Sequence, residues 1–206
     1  MDNYVIRKVK DKIMRLLAYL ALIIALIPLA SILIETALRG ASVINFNFII
    51  ERIPPLGQSG GGIGPAIQGT IIVVGIASLI GVPIGVFSGI YLAEFRETKL
   101  ASTVRFLSDV LSNMPSIVIG IFGWALIVTI IGWSVIAGAI ALAIMMIPVI
   151  TRTTEEAIKL VPSTIREAAL ALGVPRWKTT ITIVLSGAKR GIITGILLAI
   201  ARISGN

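Results

Sequence analysis

Long apolar runs alternate with short charged stretches along the chain, at about 16–38, 66–93, 107–131, 133–151 and 182–203. Each is near the ~20 residues a helix needs to cross the hydrocarbon of a bilayer, so the pattern predicts an all-α polytopic membrane protein with five visible spans. Between the first two runs, Pro54-Pro55 and Gly60-Gly61-Gly62 break helix and predict an extended connection over 39–65. From Thr103 to Met114 the run is not clean. Val104, Leu107, Leu111 and Met114 make an apolar stripe while Arg105, Ser108, Asp109 and Ser112 stay polar, the pattern of a segment lying along the interface. Asp109 is then a solvated or paired face residue rather than a proton relay. Pro28, Pro83, Pro115 and Pro148 fall inside or at the edge of runs, where each removes a backbone donor and lets a helix bend.

Charge orients this pattern. Arg7, Lys8, Lys10, Lys12 and Arg15 precede the first run, three basic residues lie between Phe95 and Arg105, and seven lie between Arg152 and Arg190. Fifteen of the eighteen Lys and Arg therefore fall on one side of an alternating set of spans, which predicts a cytoplasmic N-terminus. The basic start looks like the charged region of a signal peptide, but the run from Leu16 to Leu38 is too long for one.

Composition narrows the chemistry. The chain has 206 residues, 56% of them apolar and 14% charged, with a mean hydropathy of +1.01, outside the usual balance of a soluble domain. It contains neither cysteine nor histidine, which removes disulfides, thiolate metal sites, cysteine nucleophiles and imidazole bases; no catalytic or metal-ligating residue is expected. The net charge of +8 sits between apolar segments, where topology and lipid headgroups account for it better than nucleic acid does.

The stretch from Arg152 to Thr180 is polar, helix-rich and longer than a connection between two spans requires. Pro162 is expected to stop one helical piece and Ser163 to cap the next. That piece should run to about Leu172, before a left-handed stop at Gly173 and a new helix from Pro175. In the middle piece Ile165, Ala168, Ala169 and Leu172 recur at helical spacing. This short apolar face suits either a partner's groove or the protein's own helices, with Arg166 and Glu167 as flanking polar contacts.

Glu167-Ala168-Ala169, three residues, Gly173, nine residues and Ile183-Val184-Leu185 together resemble the EAA signature of bacterial and archaeal ABC-importer permeases, with Ser186 where that pattern usually has proline. The similarity extends over most of the chain to phosphate-transport permeases of the PstA type. It is carried by Gly60–Thr70, by Leu107–Leu111 with Pro115–Gly120, by Met146-Ile147-Pro148 with Arg152–Ala157, and by Arg166–Thr179. The resemblance implies a type I (MetI-like) permease bundle over 16–206 behind a cytoplasmic tail of 1–15, with a sixth span beyond Gly205. It implies that 152–180 is a coupling loop seated on an ATPase, with Glu167, Ala168, Ala169 and Gly173 as its characteristic positions. It also implies a second permease subunit (PstC-like), a cytoplasmic ATPase dimer and an extracytoplasmic phosphate-binding protein as partners.

Arg202, near the end of the fifth run, is the candidate for the solute path. A charge inside a membrane helix costs roughly 2.5–3.5 kcal/mol at its centre, and the planar guanidinium fork suits phosphate oxygens. The resemblance implies the same position, although Arg202 near the surface can also snorkel into headgroups. Glu35 is expected at the interface or paired with Arg39. No Gly-x-x-x-x-Gly-Lys-[Ser/Thr] loop occurs, so no cofactor is expected on this chain and ATP falls to a partner. Rival readings are the same machine with molybdate, sulfate or phosphonate, a secondary transporter or channel, and a lipid enzyme. The last two lack the paired intramembrane charges, inverted repeat or clustered carboxylates they would need.

Overall fold

The structure is a computed structural model that describes residues 2–41, 44–55 and 60–205. Among these residues every regular element is a helix, and the chain divides into two compact units, Met1–Ile67 and Gln68–Asn206.

In the first unit, α1 (Asp2–Ala41) is a single helix of 40 residues in which the basic tail continues into the span without a break. At 1.5 Å per residue it is about 60 Å long, twice the hydrocarbon thickness. Ion pairs one turn apart, Asp11 with Arg15 and Glu35 with Arg39, stand towards its two ends; the expected Glu35–Arg39 contact measures 2.7 Å. The connection over 39–65 is not wholly extended. Asn45 accepts the Phe48 N–H through its side chain at 2.7 Å and so caps a short helix, α2 (Phe46–Ile50). Positions 42–43 and 56–59 of that connection lie outside the described residues, as do Met1 and Asn206.

The second unit is built around α7 (Val135–Lys159), twelve of whose 25 residues are buried, which makes it the core helix among those described. Ser134 caps it by accepting the Ala137 N–H. Two glycine rows let its neighbours approach closely. Gly81, Gly85 and Gly89 of α3 (Gly64–Glu94) sit one turn apart against Met146, Ile150 and Thr154, and a Cβ on Gly89 would stand 2.5 Å from the Thr154 Cβ. On another side of α7, Gly191 and Gly195 of α10 (Leu185–Ser204) meet Ala157 and Thr153, and Gly187 meets Val161 just past the end of α7. Small residues at four-residue spacing are how membrane helices obtain close van der Waals packing where lipid removes the hydrophobic incentive to associate.

Four helices are each long and apolar enough to cross a membrane: α1, α3, α7 and the continuous Arg176–Ser204 segment. The expected span over 107–131 is instead two helices, α4 (Lys99–Asn113) and α5 (Ser116–Gly123), the latter continuing through a π-helical stretch and α6 (Thr129–Ile131), bent by 108° at the junction. Pro115 is the cause: it lacks an N–H and pushes Met114 out of the helical region, to φ −71° and ψ 138°. Counting the bent pair as one broken span restores five. The α4 segment is the amphipathic piece its stripe predicted, started by Thr98, which accepts the Ala101 N–H.

Candidate functional site

Between α7 and α10 the chain forms the expected chain of short helices. Helix α8 (Ser163–Ala171) begins after Pro162, not at a Ser163 cap; Ser163 is its first helical residue and no side chain caps it, because proline's extended backbone already turns the chain in. Its end is as expected. Gly173 adopts φ +77°, the Gly173 N–H bonds the Leu170 carbonyl at 2.9 Å, and the Val174 N–H bonds the Ala169 carbonyl at 3.1 Å. Those two bonds form a Schellman stop, which needs a residue tolerant of the left-handed region. After Pro175 the chain re-enters helix as α9 (Arg176–Lys178), widens to a π-helix over Thr179–Val184 and runs on as α10. No turn follows at Ser186, whose hydroxyl bonds back to the Thr182 carbonyl at 2.7 Å within the continuing helix.

The four apolar residues expected on one face, Ile165, Ala168, Ala169 and Leu172, do not share one fate. Ala169 is buried, facing the protein's own helices, while Ile165, Ala168 and Leu172 are exposed. Leu172 and Leu160 are each 84% exposed and Trp177 66%. Large apolar side chains so bare, in a segment too polar to lie in the bilayer core, form a surface suited to a partner. Glu167 is exposed beside them. Arg166 turns the other way: its Nη1 donates to both carboxylate oxygens of Glu94, the last residue of α3, at 2.6 and 2.7 Å.

A second polar cluster joins α4 to α7. Glu155 is fully buried, yet Arg105 donates to its Oε1 at 3.1 and 2.9 Å, Lys159 reaches the same oxygen at 2.6 Å and Arg152 bonds Oε2 at 2.8 Å. Arg152 also pairs with Asp109 at 2.9 Å, the paired role expected of that aspartate. Three cations thus surround two carboxylates.

Arg202 lies in the last turn of α10, where a cation is favoured by the helix dipole. Its Nη2 makes a long 3.5 Å contact with the Ser112 carbonyl at the end of α4, and the Ser112 hydroxyl is buried with no partner among the described residues. The structure therefore brings Glu167, Ala168, Ala169 and Gly173 together on α8 and its stop, and holds Arg202 apart from them, at the opposite end of α10. Sequence reading missed the Glu94 partner of Arg166 and the Glu155 hub. Arg152, Glu155 and Lys159 at i, i+3 and i+7 were a readable local signal; Glu94 and Arg166, 72 positions apart, gave none.

Comparison with known proteins decides the family. Residues 81–206 match the model of the binding-protein-dependent transport system inner membrane component. The phosphate transport system permease protein PstA of Pasteurella multocida is 44% identical over 201 residues, covering 97% of this chain and 71% of the relative. That of Yersinia pestis is 42% identical, covering 97% and 68%.

The chain belongs to this family of import permeases, within its PstA type.

Solved structures of the MetNI methionine ABC transporter in inward-facing conformations share the fold, with a TM-score of 0.58, 22% identity, and 70% of this chain and 68% of that one covered. The MetI-like helical bundle is thus the architecture of this multi-pass membrane protein, a transport subunit. The family match takes in the bent pair, the α8 surface and Arg202 alike.

Proposed function

We propose that this permease subunit carries inorganic phosphate inward across the cytoplasmic membrane, driven by ATP that a partner hydrolyses. The observation that carries the proposal is similarity over 97% of the chain to relatives named as phosphate transport system permeases. The bare apolar face of α8 supports a cytoplasmic ATPase dimer as the partner seated there, with Glu167 at its edge. The basic residues grouped on that side of the spans support a cytoplasmic N-terminus. A second permease subunit completes the pore, and an extracytoplasmic binding protein delivers the anion. ATP is bound by the ATPase, not by this chain.

Arg202 meets the solute in this reading. Its guanidinium offers paired donors to an oxyanion, while the Ser112 hydroxyl, without a partner among the described residues, supplies a neighbouring donor. Closure of the ATPases on nucleotide displaces α8, and the helices it touches re-pack to open the path to the other side. A cation alone does not choose among oxyanions. The test is uptake of radiolabelled phosphate by cells lacking their own high-affinity import and supplied with this gene and its neighbours. Uptake that survives excess molybdate or sulfate is expected; uptake that molybdate or sulfate abolishes would remove phosphate from the proposal.

A further inference from the structure

The exposed face of α8 explains how a partner is held, but not how its movement reaches the spans. Two features bear on that. The inward face of α8 rests on the π-helical stretch Thr179–Val184, with Ala169 as its one buried residue, and beneath the helix lies a cleft of about 250 Å³ lined by Glu94, Arg166, Leu170, Arg176, Thr179 and Thr180. Across that cleft runs one ion pair, Arg166 to Glu94, with the two side chains 28% and 19% exposed. It ties α8 to the terminal residue of α3, and α3 lies against α7 through Gly81, Gly85 and Gly89, which bring its backbone close onto Met146, Ile150 and Thr154 and leave little room for a shift.

We propose that the Arg166–Glu94 pair is a strut that transmits displacement of α8 to α3, and that both are positioning residues for transport. This rests on the reading that an ATPase docks on α8. The cleft beneath α8 leaves it room to shift relative to α3, whereas a charge-assisted link with both carboxylate oxygens held resists separation. The pair is also shielded enough from water that screening does not erase it. Pulled or pushed by its partner, α8 therefore takes the end of α3 with it, and the close glycine contact carries that motion to α7. Without the strut, α8 moves over the cleft without taking the end of α3 with it. ATP is then spent without a matching turn of the pore.

The experiment reconstitutes the whole complex (both permease subunits, ATPase and binding protein) in liposomes and measures phosphate transported per ATP hydrolysed. Glu94→Arg and Arg166→Glu are each expected to lower that ratio by about fivefold or more, and the double charge swap to recover at least about half of the loss. Unchanged ratios in the single variants, or a swap no better than the worse of them, would overturn the strut. So would a lowered melting temperature with the ratio intact, which would make the pair a folding contact alone. Failure of the unaltered permease to retain the ATPase would instead refute the docking reading, and that is read before any variant is made.

Discussion

Replacing Glu155 by alanine removes the one acceptor shared by Arg105, Arg152 and Lys159 and leaves three cations between α4 and α7 with Asp109, paired to Arg152, as the remaining carboxylate of the cluster. Breaking a buried ion pair from one side costs about 3–5 kcal/mol. The low end applies, because the cations are 27–37% exposed and can turn toward water, as the fully buried carboxylate cannot. A loss of about 3 kcal/mol, at roughly 2–4 °C per kcal/mol for a chain of this size, lowers the melting temperature by about 6–12 °C. The assay is thermal unfolding of the detergent-solubilised protein, followed by loss of its monodisperse peak on size exclusion. Glu156→Ala is the internal control, since it deletes the same charge one position away at an exposed site. Adding Arg105→Ala to Glu155→Ala should cost less than the sum of the two single changes, because each removes the same contact. A melting temperature for Glu155→Ala within about 2 °C of Glu156→Ala would refute the hub.

The remaining predictions address packing and docking. Gly89→Val drives a branched side chain into Thr154 and the Thr151 carbonyl, so overpacking should cost about 1–3 kcal/mol, read in the same melting assay. Gly173→Val meets no neighbouring atom but places a β-branched residue at φ +77°, a strain of about 1–2 kcal/mol at the α8 stop. Less ATPase should copurify with it, and undiminished copurification would count against the stop as part of the dock. Leu172→Asp puts a charge at the barest point of that face; ATPase binding should fall at least about tenfold with the melting temperature unmoved. A drop in melting temperature there would mean that Leu172 is packed internally.

Much of this architecture is legible in the sequence because a bilayer enforces it locally. The apolar runs at 66–93 and 133–151 became α3 and α7, and Gly173 stopped α8 where its left-handed conformation required a glycine. The run at 107–131 misled by its hydropathy. The amphipathic stripe from Val104 to Met114 already distinguished α4 from a span, and Pro115 supplied the break. Gly81-Gly85-Gly89 and Gly187-Gly191-Gly195 are visible as regular spacings, but spacing alone does not say that both rows face α7, the second reaching just past its end. The α8 face shows the same limit: Ile165, Ala168, Ala169 and Leu172 share a periodicity, and only the packed structure separates inward Ala169 from exposed Leu172. Pairs closed across 50 and 72 positions, Arg105–Glu155 and Glu94–Arg166, depend on which helices become neighbours, and no local pattern encodes that.

The central claim is that this chain conducts phosphate under the drive of a partner's ATP hydrolysis, past Arg202. Its most direct test is ATP-dependent accumulation of radiolabelled phosphate in liposomes holding the assembled complex and its binding protein, run with native permease and with Arg202→Ala. Accumulation that requires ATP and is lost in Arg202→Ala, while the ATPase stays bound, is the predicted result. Accumulation of phosphate at the native rate in Arg202→Ala would remove the arginine from the path, and no ATP-dependent phosphate accumulation by the native complex would contradict the account itself.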